Sequence, residues 1–470
     1  MRPVRRVSGD GRTRRAARAL GWSVLLALLL GACGGPKKAG DWNVLLVVVD
    51  TLRADRLSLY GYHRPTSPKL DAFAREAVVF ANARSPAGCT FPSANSLLTS
   101  RPPAEFLLQA GGTMAIPQTV PVLPEMLRQR GYATAAVSAS PIVRNTPSRI
   151  NAVGGFGRGF QTFDEACWRK HAACVNEKAF GLVQTLPEPW FLYLHYMEPH
   201  APYRPAASHP RRFAPKDPKG VRPWARRGET WPIARRIYDG NTDGSTRYDF
   251  TPRDVAHLAD LYDEEIAYFD EQLAKLVDAL RERGLLDRTV IVLAADHGEE
   301  QYEHGQFGHC RNLAYETVLK TPLVMRIPGV EGGRRQALAD NLDVVPTLLD
   351  YLGFLAPETP KFEGSSLRPV IERDKPVRRL AFGAQGVTRT ASDGTHKLIF
   401  DLASGTSRLF DLSADPGEKT DLLAKRPEEA QRLQATLLRW LEAREGPAAS
   451  GKSRRQAEEL EKKLRALGYL

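Results

Sequence analysis

The sequence predicts an α/β fold, a mostly parallel sheet flanked by helices, followed by a smaller C-terminal α+β piece. Three observations predict it. Runs beginning at Trp42 (WNVLLVVV), Trp190 (WFLYLHY) and Thr289 (TVIVLA) are largely apolar, and the first, rich in β-branched residues, ends abruptly at Asp50, the signature of parallel strands buried on both faces. Strand-like and helix-like segments alternate as far as residue 350. Beyond it, short strands joined by Ser404-Gly405 precede a last amphipathic helix, which is how an appended α+β unit reads.

Taken in order, Trp42 to Val49 is the first buried strand, and Asp50 stands just past its carboxyl end, where open α/β sheets place functional residues. Pro68 to Phe80 reads as an amphipathic helix running into a short strand. Leu123 to Arg130 is a helix stopped by Gly131, and Ala133 to Ser138 is a second strand. The glycines from Gly154 to Gly159 lack a preceding strand and a following helix, so they mark a loop and not a dinucleotide fingerprint. Trp190 to Tyr196 is a third strand. Within it His195 alternates with apolar neighbours and reads as a satisfied core histidine, whereas His200 lies past the strand end between prolines that fix its loop. His209 to Phe250 is a long Pro-, Arg- and Gly-rich insertion. Its Arg211, Arg212, Arg226 and Arg227 read as a solvated basic loop rather than a substrate cleft. Pro252 to Arg283 is a long helix whose Tyr262-Asp263-Glu264-Glu265-Ile266 reads as mostly a solvated face. Thr289 to Ala294 is a strand that leads into Asp296-His297-Gly298-Glu299, and Asp343 to Asp350 is a helix. His396 to Phe400 and Arg408 to Leu412 are paired strands, and Glu428 to Ala443 is the final amphipathic helix. The division that follows is a catalytic α/β unit at 42–375, an α+β subdomain at 376–445, and a linker with a charged helical tail at 446–470.

The chain has 470 residues, 42% hydrophobic and 26% charged, with a formal charge of +12. Those proportions suit an ordinary globular protein. About half of the positive charge is concentrated ahead of the apolar run Ala19–Leu30, in Arg2, Arg5, Arg6, Arg12, Arg14, Arg15 and Arg18, as in the charged region of an export signal. Nucleic acid is therefore not an expected partner. The apolar run is shorter than the roughly 20 residues of a comfortable membrane span. It ends Leu30-Gly31-Ala32-Cys33, which resembles the lipobox of bacterial lipoproteins, so residues 1–33 are expected to be a signal with Cys33 lipidated. Residues 34–41 would be a flexible tether. The expected location is outside the cytoplasm, anchored in the bacterial cell envelope at the periplasmic face or outer membrane. An oxidising compartment permits disulfides. Cys167 and Cys174 are close enough to bridge across a loop, and Cys89 with Cys310 is a second candidate pair.

The chemistry concentrates around Ala87–Arg101. Pro92 suits a first helical turn, so Thr90 sits at a helix start, where anions are favoured and a hydroxyl can serve as nucleophile toward a phosphate or sulfate ester. An ordinary Thr cap is the plainer alternative. Two strand ends carry Asp50 and Asp296, the latter followed by His297. Two carboxylates, an imidazole and the Thr90 hydroxyl make a divalent-metal site. The oxygen ligands admit Ca2+, Mg2+ or Mn2+, and the imidazole makes Zn2+ or Mn2+ suitable.

With these residues identified, the chain resembles the sulfatases of the alkaline-phosphatase superfamily over about residues 42 to 445. The likeness is carried by NVLLVVVDTLRADRLSLYGYHRPTSPKLDAFA, TFPSANSLLTSRPP, LRQRGYATAAV, GFQTFD, WFLYLHYMEPHAPY, YDEEIAYFD, VIVLAADHGEEQYEHGQFGH, YETVLKTPLVMRIPG, DVVPTLLDYLG, EGSSLRP and LFDLSADPGEKTDLL, in family order and spacing. The resemblance implies an alkaline-phosphatase-like fold, with Asp50, Asp296 and His297 on the metal-ligand positions and Ca2+ as the family's ion. It places His200 where the family keeps a substrate-binding or proton-donating histidine. Of the two histidines in EHGQFGH, His309 is the better site candidate and His304 the weaker. The family's Cys-x-Pro-Ser-Arg motif departs here: its nucleophile position falls on Thr90, Cys89 is one residue early, and its Arg is Ala94. Thr cannot become formylglycine, so that cofactor is not expected. The charge of the missing Arg would come from His200, His309 or Arg311. Thr51 replaces the second acid of the family's Asp-Asp pair.

The expected function is hydrolysis of sulfate esters, or of phosphate esters as threonine nucleophiles in the superfamily's phosphoethanolamine and glycerol-phosphate transferases suggest. The substrate would be a sulfated or phosphorylated glycan, lipid or small molecule. A phosphodiesterase, a phosphoethanolamine- or glycerol-phosphate-type transferase on lipids or glycans, and a non-catalytic glycan-binding relative are the rival expectations.

Overall fold

In a computed structural model, the described residues are 41–445, apart from 104–115, 117, 149–150, 152–153, 169–170, 231–248, 311–313 and 357–359. Cys33 with the signal, Arg311, and the 446–470 linker and tail lie outside them.

The central sheet contains β1 (Asn43–Val49), β2 (Val78–Arg84), β3 (Ala133–Ser138), β4 (Thr162–Asp164), β5 (Trp190–Tyr196), β6 (Thr289–Ala295), β9 (Leu323–Arg326) and β10 (Gly333–Asp340); β7 (Glu300–Gln301) and β8 (Phe307–Gly308) form a separate hairpin. The order across the sheet is β10-β2-β9-β6-β1-β5-β3-β4. Only β9 runs antiparallel to its neighbours, so the sheet is mixed but mostly parallel. Strand β1 shows why it is central. Leu45, Val47 and Val49 enter one core, while Val44, Leu46 and Val48 enter the other, as the two-residue period of a strand requires. On the first face lie α4 (Ala172–Thr185) and α5 (Pro252–Glu282). On the second lie α2 (Thr90–Thr99), α3 (Leu123–Arg128) and α6 (Val344–Tyr351). The helix α1 (Pro68–Phe73) precedes β2, which is a full seven residues and not a short strand.

A second sheet, β11 (Ala381–Gln385), β12 (Thr388–Ser392), β13 (His396–Asp401) and β14 (Ser407–Asp411), is antiparallel throughout. Leu433, Leu437 and Leu441 of α7 (Pro427–Glu445) cover Ala391, Leu398 and Leu409.

One expectation fails. The stretch Tyr262–Ile266 is buried, not a solvated face. Helix α5 starts on a Thr251–Asp254 capping box and runs beneath loops that supply partners for its acids. Asp263 accepts from the Tyr62 hydroxyl and Arg64, each at 2.8 Å. Glu264 accepts the backbone N–H groups of Arg212, Phe213 and Ala214. The arginines of the insertion are tied locally: Arg212 to Glu271, Arg226 to Asp217 and Arg227 to Glu229.

Candidate active site

Strands β1 and β6 pair in parallel with Val49 opposite Ala295. That register sets Asp50 and Asp296 side by side as each strand ends. Thr51 then turns with φ of 56°, a left-handed conformation uncommon for a β-branched residue. The turn aims its N–H at Asp296 Oδ1, 3.2 Å away. The Tyr262 hydroxyl of α5 fixes it from below, donating to Thr51 O at 2.7 Å and accepting from Arg53 N at 3.0 Å.

Thr90 is the first residue of α2 and follows Cys89, which is disulfide-bonded to Cys310. Its hydroxyl oxygen lies 3.1 Å from His297 Nε2. His297 Nδ1 lies 2.8 Å from Gly298 O and donates to it, because a carbonyl can only accept. In the tautomer that this bond selects, Nε2 carries the lone pair. It faces Asp296 Oδ2 at 3.4 Å and Asp50 Oδ1 at 4.0 Å. Both of those carboxylate oxygens are buried without a hydrogen-bond partner. A lone pair and two orphaned carboxylate oxygens repel one another unless a cation lies among them. Burial, and after it the charge of Asp296, raises the Asp50 carboxyl well above its ordinary pKa, as two carboxylates in one buried site require. Asp50, Asp296 and His297 thus fit a divalent ion.

His195 belongs to this site as well as to the core. The Tyr193 hydroxyl is 2.8 Å from its Nδ1, and its Nε2 is 3.3 Å from Asp50 Oδ2. Burial pushes its pKa down to about 4, so the neutral ring donates from Nε2 to Asp50 and orients it.

The other histidines gather at the same end of the sheet. His309 lies 4.5 Å from His297 and 5.1 Å from His200 between ring centroids. His309 Nδ1 is 3.1 Å from Glu299 Oε1, and the Tyr203 hydroxyl donates to Glu299 Oε2 at 2.5 Å. His200 donates from Nδ1 to Ala201 O; burial, and then neighbouring His309, lowers its pKa to about 4. His304 points elsewhere, stacked on Tyr315 and bonded to Glu300.

The second sheet reaches in through Gln385, which accepts from Gly88 N at 3.0 Å and donates to Cys310 O. Sequence reasoning missed Glu299, Tyr203 and Gln385. Glu299 was signalled by its place three residues beyond Asp296; an isolated Gln in a strand carries no signal.

The chain matches the family described as Sulfatase over residues 42–354. It belongs to the sulfatase family. A second match, described as N-sulphoglucosamine sulphohydrolase, C-terminal, covers residues 302–445 of this sulfatase. It is 25% identical over 432 residues to choline-sulfatase of Rhizobium meliloti, covering 82% of each chain. It is 24% identical over 505 aligned positions to N-acetylglucosamine-6-O-sulfatase of Bacteroides thetaiotaomicron, covering 89% of each. Among solved structures, the fold matches a phosphonate monoester hydrolase of Agrobacterium radiobacter at a TM-score of 0.68 and 21% identity, over 84% of this chain and 95% of that one. It also matches a structure in complex with its substrate D-glucosamine-2-N,6-O-disulfate at a TM-score of 0.67 and 20% identity, over 89% of this chain and 98% of that one. The fold of this sulfatase is therefore the mixed sheet with a small antiparallel C-terminal sheet found in those structures. Cys89, being disulfide-bonded, has no thiol to convert to formylglycine.

Proposed function

We propose that this sulfatase hydrolyses sulfate esters with Thr90 as nucleophile, outside the cytoplasm and anchored through Cys33. The observation that carries the reading is the convergence of Thr90 Oγ1 on His297 Nε2 beside the orphaned oxygens of Asp50 and Asp296. A divalent cation on those ligands, Ca2+ by family resemblance or Zn2+, Mn2+ or Mg2+ by donor chemistry, would acidify the Thr90 hydroxyl and draw charge from the ester oxygens.

In the first step Thr90 Oγ bonds to sulfur as its proton passes to His200 or His309, the sulfur–oxygen bond to the alcohol breaks, and the imidazolium so formed protonates the leaving oxygen. An anion beside these rings opposes the burial that holds His200 neutral, since a nearby negative charge favours imidazolium. In the second step water attacks sulfur, sulfate departs, and Thr90 regains its proton. Glu299 holds His309 in place, and Tyr203 holds Glu299.

A phosphate ester is the second reading. A Thr ester cannot release its group by the elimination open to a formylglycine hydrate, and attack at phosphorus meets that need readily. The fold likeness to a phosphonate monoester hydrolase is compatible with it. Two disulfides suit an oxidising compartment. No described helix is long and apolar enough to cross a membrane; the proposed anchor, a lipid on Cys33, rests on the lipobox-like Leu30-Gly31-Ala32-Cys33. A panel of aryl sulfate, phosphate monoester and phosphodiester substrates, assayed with each divalent ion and with an added alcohol acceptor, tests the reading. Turnover of aryl sulfate with water as acceptor is expected. Preference for the alcohol would mark a transferase, and no cleavage with any ion would favour a binding protein.

A further inference from the structure

Away from the catalytic centre, His171, Glu198 and Glu265 bring an imidazole and two carboxylates within 4.8 Å of one another, atom to atom. Three different elements supply them. His171 lies in the loop closed by the Cys167–Cys174 disulfide and immediately precedes α4. Glu198 follows β5, two residues before His200. Glu265 sits on α5. Both glutamates are 4% exposed, whereas the His171 side chain is 43% exposed.

The hydrogen bonding leaves this cluster incomplete. Glu198 Oε1 accepts from Ala172 N at 2.7 Å and stands 3.4 Å from His171 Nδ1. Glu198 Oε2 is buried and has no hydrogen-bond partner. The backbone N–H of Arg204 bonds the Glu265 carboxylate, and Arg211 acts on it through its field. Burial, and then the charge of Glu198, pushes the Glu265 carboxyl up. Two carboxylates in one buried site call for a counter-ion. Another His/acid group, Asp393, His396 and Glu429, shows the contrast: Arg432 already bonds both of its acids, and Arg426 meets its histidine.

We propose that His171, Glu198 and Glu265 bind a second divalent transition-metal ion, with Zn2+ as the probe. Two carboxylates and an imidazole suit Zn2+ or Mn2+ better than Ca2+. A tetrahedral Zn2+ with ligands at about 2.1 Å spaces them about 3.4 Å apart, so small closing movements complete the site. The exposed side at His171 leaves room for water. The ion fastens the disulfide loop and α5 to Glu198, and so steadies the loop that carries His200.

The full chain, stripped with chelator and dialysed against Zn2+, is assayed for metal by mass spectrometry. Two ions per chain are expected. His171→Ala alone should reduce this to one, and because His171 is half-exposed the variant should fold. Asp50→Asn with Asp296→Asn should retain one ion and still melt higher with Zn2+. Adding His171→Ala and Glu265→Gln to that background should abolish both the ion and the shift. No ion in the Asp50→Asn/Asp296→Asn background, or a bound ion that survives loss of both His171 and Glu265 there, would overturn the proposal. Neither readout involves ester cleavage, so the result stands apart from the proposed function.

Discussion

The Thr90 hydroxyl oxygen stands 3.1 Å from Nε2 of His297 although 207 residues separate them in the chain. One belongs to the first turn of a helix and the other follows the end of a central strand. Strand register brings Asp50 and Asp296 to the same place. The grouping is thus built by the most buried part of the sheet, which holds ligands more firmly than loops can.

His195 should set the strength of metal binding without being a ligand. Its Nε2 contacts Asp50 Oδ2, leaving Oδ1 for the ion. His195→Leu should weaken divalent-ion affinity about 10- to 100-fold, measured by metal titration with the fold checked by circular dichroism.

The Cys89–Cys310 bridge should matter to rate as well as to stability. It joins the residue before Thr90 to the residue after His309, and Cys310 N also bonds Gly88 O at 2.9 Å. Cys89→Ser with Cys310→Ser should lower the melting point, because a link between residues 221 apart restricts the unfolded chain by about 5 kcal/mol. Below that melting point kcat should still fall by about 10- to 100-fold, the scale of an ångström-sized misplacement. Cys167→Ser with Cys174→Ser should leave the Thr90 loop unaffected and serves as the comparison.

The two sheets are joined by a buried ion cluster. Lys397 Nζ of β13 lies 3.1 Å from Glu316 and 2.9 Å from Glu418, and Arg84 of β2 lies 2.8 Å from Glu316. Lys397→Met leaves Glu418 buried without a cation, while Glu316 keeps Arg84, and should cost about 3–5 kcal/mol in denaturant melts. Burial alone would raise the Glu316 carboxyl, but Arg84 and then Lys397 hold it at about 2. The unfolded chain, with its ordinary value near 4.5, takes up that proton first. The stabilisation from Glu316 is therefore complete above that value and is lost as pH falls toward about 2. Melts across that range should show a steeper acid decline for wild type than for Glu316→Gln.

What could be read beforehand followed from burial. WNVLLVVV, WFLYLHY and TVIVLA announce strands because parallel strands covered on both faces are apolar throughout; the acids that follow the first and the last, Asp50 and Asp296, stand at the site. Edge strand β10, GRRQALAD, has no such run and gave no signal. The acids of α5 misled because their partners come from remote loops: Tyr62, Arg64 and the N–H groups of 212–214. Gln385 was invisible for the same reason, since its role depends on a second sheet docking against Gly88 and Cys310.

Steady-state turnover of aryl sulfate and phosphate esters by Thr90→Ala, beside Cys89→Ala and with metal content confirmed, tests the central claim most directly. Thr90 as nucleophile predicts loss of about 1,000-fold or more in kcat on every ester for Thr90→Ala, with the smaller loss of a disrupted bridge for Cys89→Ala. Undiminished turnover by Thr90→Ala, with activity abolished in Cys89→Ala, would contradict it.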